Sequence, residues 1–123
     1  MKYLLDVNVL LQGIWKDHPD HEATFKWLQG KAVVVCPLAE LGFIRVSTGA
    51  LGAPMAETRQ LLERFLSERN AGRIADDLPA LGSMPKTSGQ VTDHYLADLA
   101  QMHGIQLATF DQKISHPAVQ SIG

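Results

Sequence analysis

Short apolar runs alternate along this chain with longer stretches of helical period. Lys2–Leu5 reads as a strand that ends at Asp6, and Ala32–Cys36 as a second, compact and β-branched. Ile105–Phe110 is a third clear run, ended by Asp111, while Arg73–Asp76 and Ala118–Ile122 are shorter strand candidates. Between the strands, Val7–Gly13 and His21–Gln29 predict helices, the latter closed by Gly30. Pro37 suits the first turn of a helix running to about Thr48, with Gly49 as its stop. Pro54–Asn70 gathers Met55, Thr58, Leu61, Leu62, Phe65 and Leu66 on one side, with Gly72 beyond its end. Thr92 is the predicted cap of a helix through His103, with Gly104 at C′; Gly82–Gly89 is the most loop-like segment.

Alternation of this kind predicts an α/β fold of three layers, α/β/α and Rossmann-like, around a mostly parallel sheet of four to five strands. Such sheets work in the crevice beyond the carboxyl ends of their strands. The length of 123 residues suits one domain, 1–123, and lets roughly two thirds of the unfolded surface be buried without a disulfide or structural metal. With 46% apolar and 20% charged residues the composition argues against disorder. Cys36 is the single cysteine, so no internal disulfide can form, and its apolar run suggests a core thiol. No apolar run is long enough to cross a bilayer and no leader stands before Tyr3, so a cytoplasmic setting is expected. The net charge of −2 counts mildly against a nucleic-acid partner.

Four acids fall at the strand-end edge of the predicted sheet. Asp6 and Asp111 directly follow strands; Glu40 lies one turn into the helix after the second strand, and Asp93 in the first turn of its own helix. Asp6, Asp93 and Asp111 each also fit an ordinary capping role, because carboxylates near helix starts accept free N–H groups. Glu40 shares a helical face with Phe43, Ile44 and Ser47, and no Lys or Arg stands three or four residues away to neutralise it. Acids converging at one crevice repel unless a cation lies between them, and an oxygen-only set suits Mg²⁺ or Mn²⁺ rather than zinc. Such a cluster fits phosphate-ester chemistry.

The ordered motifs resemble a known family. Asp6-Val7-Asn8-Val9-Leu10 is similar to the opening motif of PIN-domain ribonucleases, and Pro37–Arg45 to the helix carrying their second acid. Val91–Ala100 followed by His103-Gly104 and Leu107–Asp111 resembles their third and fourth motifs, so the resemblance covers nearly the whole chain. It is closest to VapC-type toxins of bacterial toxin–antitoxin pairs. The resemblance implies an endoribonuclease that cuts RNA with Mg²⁺ (Mn²⁺ as substitute), an antitoxin partner docked against the early helices, and a homodimer. It implies that Asp6, Glu40, Asp93 and Asp111 hold the metal, Asp6 and Asp93 most directly, and that Asn8 and Thr109 orient carboxylates. Asp98 stands where the family has a small residue, and is expected to be exposed. Arg45 stands where the family often has Arg, as a phosphate or partner contact or a solvated charge.

Further contacts to substrate or partner are open at Lys86, in the loop before Asp93, and at Trp15, which serves as a core or interface aromatic or as a base-stacking platform. Two other readings are open, the first because such domains also place an acid after the first strand. A phosphoryl-transfer domain of haloacid-dehalogenase or receiver type is disfavoured by Asn8, where the former needs Asp. A catalytically silent binding module is disfavoured by the four intact acids.

Overall fold

A computed structural model describes residues 1–82 and 84–122. Five strands, β1 (Lys2–Leu5), β2 (Ala32–Val35), β3 (Gly72–Arg73), β4 (Gln106–Thr109) and β5 (Val119–Ser121), form one sheet in the order β3-β2-β1-β4-β5, and every pair is parallel. β1 is the middle strand: Leu4 pairs with Val34 on one side and Leu107 on the other. Leu4, Leu5, Val33–Val35, Leu107 and Ala108 are buried, the continuous apolar pattern of strands covered on both faces.

The helices are α1 (Val7–Ile14), α2 (His21–Leu28), α3 (Pro37–Thr48), α4 (Met55–Glu68) and α5 (Val91–Met102). The path β1 to β2 to β3 moves outward in one direction, so right-handed crossovers put α1–α4 on one face. From β3 the chain returns past β1 to β4, which puts α5 on the other face, where it packs on β1 and β4. The winding therefore reverses between β1 and β4, and the ligand crevice of a doubly wound sheet opens at that switch point. The expected three-layer fold is the observed one, with the sheet wholly parallel.

Three local expectations are corrected. The strand foreseen at Arg73–Asp76 lies at Gly72–Arg73, because only Val34 and Val35 offer partners at that sheet edge. Consequently Gly72 is strand, and the left-handed position after α4 is taken by Asn70 (φ 50°). Thr92 does not cap α5: a 3₁₀ turn, Ser88–Gln90, runs into the helix, so Gln90 is the cap position and Thr92 lies inside. A further 3₁₀ turn at Ala80–Gly82 shortens the expected loop Gly82–Gly89, within which Ser83 lies outside the described residues. One close approach needs glycine: a Cβ on Gly42 of α3 would stand 2.6 Å from Val7 Cγ2 at the start of α1.

Candidate active site

Asp6 ends β1 and begins α1. Its N–H extends the ladder to Ala108 O (3.1 Å), and its Oδ1 accepts the Val7 N–H (2.7 Å), so the carboxylate is held as the helix cap. Its Oδ2 accepts a hydrogen bond from Thr109 Oγ1 at 2.8 Å, and only 2% of the residue is exposed. Thr109, the last residue of β4, is a hub: Oγ1 also accepts from Asn8 Nδ2 (3.2 Å) and from the Asp111 N–H (3.1 Å). Asn8 Oδ1 in turn accepts the Phe110 N–H at 3.4 Å. Asn8 and Thr109 thus lock Asp6 to the start of the Asp111 segment across the switch point.

Asp93, in the first turn of α5, faces the same crevice from the other layer. Burial raises its pKa to about 6, with the charges of Asp6 and Asp111 adding to the shift. Asp6 is raised as well, chiefly by burial, against the lowering effect of the Thr109 and Val7 bonds; Asp111 adds repulsion. Three of the four expected acids therefore share one field. Asp6 and Asp93 border a cleft of about 450 Å³ that also takes in Leu38, Gly42, Thr92 and the exposed Arg45.

Glu40 is placed differently. It is half-buried, as its helical face implied, but Arg73 Nη1 lies 2.9 Å from both its oxygens. The cation absent at helical spacing comes from β3, 33 residues away. Strand adjacency is the signal that locates it: a strand beside β2 ends next to the helix that follows β2. Asp76, which the sequence reading takes only as the end of a strand, has a capping role. Its Oδ2 accepts the Leu38 N–H (3.1 Å), capping α3 where Pro37 has no N–H to give. Burial is the first cause that pushes the neighbouring Cys36 thiol up to about 12; Asp76 contributes.

Asp98 is not exposed as expected: it is half-buried, with Oδ1 2.8 Å from His116 Nε2. Trp15 sits at the far end of α1 from Asp6, its Nε1 donating to Ser47 Oγ (2.8 Å) and its ring stacked on Phe43. Lys86 is exposed on the segment leading into α5.

This sheet order, with acids at the ends of β1 and β4 and on α5, defines an α/β protein with an acidic switch-point crevice. The chain belongs to the PIN domain family, whose model matches residues 3–120. It is 35% identical to ribonuclease VapC38 of Mycobacterium tuberculosis over 88% of this chain and 84% of that one. It is 36% identical to ribonuclease VapC44 of the same organism, over 97% and 92%. The fold matches that of a crystal structure of VapBC2 from Rickettsia felis bound to a promoter DNA fragment (TM-score 0.65, 14% identity, all of both chains). The family match removes the haloacid-dehalogenase and receiver readings.

Proposed function

We propose that the protein is an endoribonuclease acting as the toxin of a type II toxin–antitoxin pair, with a hard divalent cation, Mg²⁺ or Mn²⁺, as its cofactor. The observation that carries the proposal is that Asp6 and Asp93 line one cleft from two layers, with Asp111 near enough for its charge to act on both. The kinship with VapC ribonucleases supports the RNA substrate and the antitoxin partner. Among the described residues no three His, Cys, Asp or Glu side chains close into a preformed metal cage. Mg²⁺ keeps several waters and takes one or two carboxylates together with substrate phosphate oxygens, a demand that Asp6 and Asp93 on one cleft would meet.

Asp6 and Asp93 would hold the ion, with Asp111 beside them. Glu40, tied to Arg73, would be the least direct of the four. A bound divalent ion supplies Lewis-acid chemistry, acidifying water and offsetting charge on the phosphodiester. The chain does the rest. Thr109 and Asn8 keep the Asp6 carboxylate in one orientation, burial keeps solvent from it, and Arg45 on the cleft wall would meet the phosphate backbone. A groove of about 390 Å³ between α1, α2 and α4 is the candidate antitoxin seat. It carries the half-exposed Phe25, with the Arg69 guanidinium 5.2 Å from that ring. Among the described residues no helix is long and apolar enough to cross a membrane; a cytoplasmic setting, where RNA and an antitoxin would meet the protein, belongs to the same proposal. Pairing as a homodimer belongs to the same proposal.

The test is cleavage of a single-stranded RNA with Mg²⁺ by the wild type, Asp6→Asn and Asp93→Asn. Cleavage in the wild type and a loss of about a hundredfold to a thousandfold in both variants is expected, on the scale at which a key charge stabiliser acts. Full activity in both variants, or none in the wild type with metal present, would refute the proposal. Ion binding without cleavage would favour the silent binding module.

A further inference from the structure

The segment from Phe110 to Ala118 joins β4 to β5 and carries Asp111. Near its start, Asp111 N–H is bonded to Thr109, and Asp111 Oδ1 accepts the Lys113 N–H at 2.8 Å. Buried Ile114 pins its middle. At the far end His116 is held on both ring nitrogens: Nε2 lies 2.8 Å from Asp98 Oδ1, and Nδ1 accepts the Ala118 N–H at 3.0 Å. With Nδ1 an acceptor, the ring proton sits on Nε2 and is donated to Asp98. The His116 side chain is 10% exposed and that of Asp98 26%, so water competes little for this charge-assisted bond. The His94 ring stands edge-on to the His116 ring, with centroids 6.4 Å apart. His94 and Asp98 are one helical turn apart on α5, and Asp93 directly precedes His94.

We propose that Asp98 and His116 form a positioning clasp: they fix the Asp111 segment to α5 and thereby set the spacing between Asp111 and Asp93. The consequence for metal rests on the reading above, in which those carboxylates share an ion. Neither clasp residue touches the ion or the substrate. Each acts through the loop, as outer partners of metal sites do when their loss weakens binding 10- to 100-fold.

The experiment uses Asp98→Ala, His116→Ala, the double variant and His116→Gln, whose amide keeps one donor and one acceptor. Amide hydrogen exchange in the metal-free protein reads the loop, and calorimetric titration with Mn²⁺ reads the ion. Both alanine variants should speed exchange across 111–115 about tenfold, leave the Leu99 and Ala100 amides unchanged and weaken Mn²⁺ about tenfold. The double variant should be no worse than the poorer single, and His116→Gln should stay within about threefold of wild type. If the alanine variants do not fold, Asp98→Asn, which keeps the accepting oxygen and loses the charge, takes their place with the same exchange readout. Unchanged loop exchange, or single effects that add in the double, would overturn the clasp. Loosening of the loop in a protein whose wild type binds no Mn²⁺ would uphold the clasp and defeat the ion reading instead.

Discussion

At the scale of single residues, Thr109 has the greatest leverage. Its hydroxyl donates to Asp6 and accepts from Asn8 and Asp111, in a place with no exposure to water. Thr109→Val keeps the shape and removes the hub, leaving three polar groups short of a partner. A loss of about 2 kcal/mol in denaturant unfolding is expected, while Thr109→Ser should lose less than half of that. Asp93 gives a prediction with a sign. Its folded pKa is raised from 3.8 to about 6, so its stabilising protonated form is fully present below 3.8 and lost as pH rises through 6. In chelator, Asp93→Asn should therefore melt higher than wild type at pH 7.5, by about 1–2 kcal/mol after allowance for solvent screening, and equal it near pH 4. A variant less stable than wild type at pH 7.5 would contradict this. Glu40→Gln should cost RNA cleavage at least tenfold less than Asp93→Asn, because Arg73 already neutralises Glu40; equal losses would place Glu40 on the ion.

At the scale of elements, the approach of α1 to α3 aims the Asp6 cap into the cleft. Gly42 permits it, since a Cβ there would meet the β-branched Val7 at 2.6 Å. Gly42→Ala should destabilise by about 1–3 kcal/mol and reduce Mn²⁺ affinity, as α1 shifts with Asp6 on its first turn. Unchanged calorimetric affinity would uncouple the two helices from the site. The elements themselves were largely legible. Pro37 and Gly49 bound α3 where sequence placed it, and β1, β2 and β4 follow from short, mainly apolar runs. Asp6, Asp93 and Asp111 were legible for the same reason: a strand end or a helix start fixes where a side chain goes. The partners were not. Arg73 reaches Glu40, and His116 reaches Asp98, across elements whose neighbourhood depends on strand order and layer, which no local pattern carries. β3 slipped because two exposed residues at an edge have no apolar signal to fix their register.

At the scale of the whole molecule, the net charge of −2 reads differently once its acids are located. With Asp6, Asp93 and Asp111 set aside as one site, ten acids face eleven bases, and the rest of the surface is nearly balanced. The mild objection to a nucleic-acid partner thus reduces to a local one, which a divalent ion at the site would offset. A balanced surface cannot grip RNA by counterion release over many phosphates, so affinity must come from a few cleft contacts. Arg45 is the basic residue on the cleft wall that Asp6 and Asp93 share, where it would meet the phosphate backbone without reading bases. In the Asp93→Asn background, where cleavage is removed, the logarithm of RNA affinity should fall with the logarithm of salt at a slope of about −1 to −2 for single strands. Adding Arg45→Ala should weaken binding alike for RNAs of different sequence and reduce that slope by about 0.7, the share of one phosphate. A slope steeper than about −4, or one untouched by Arg45→Ala, would mean that RNA is held by a basic face elsewhere on the molecule.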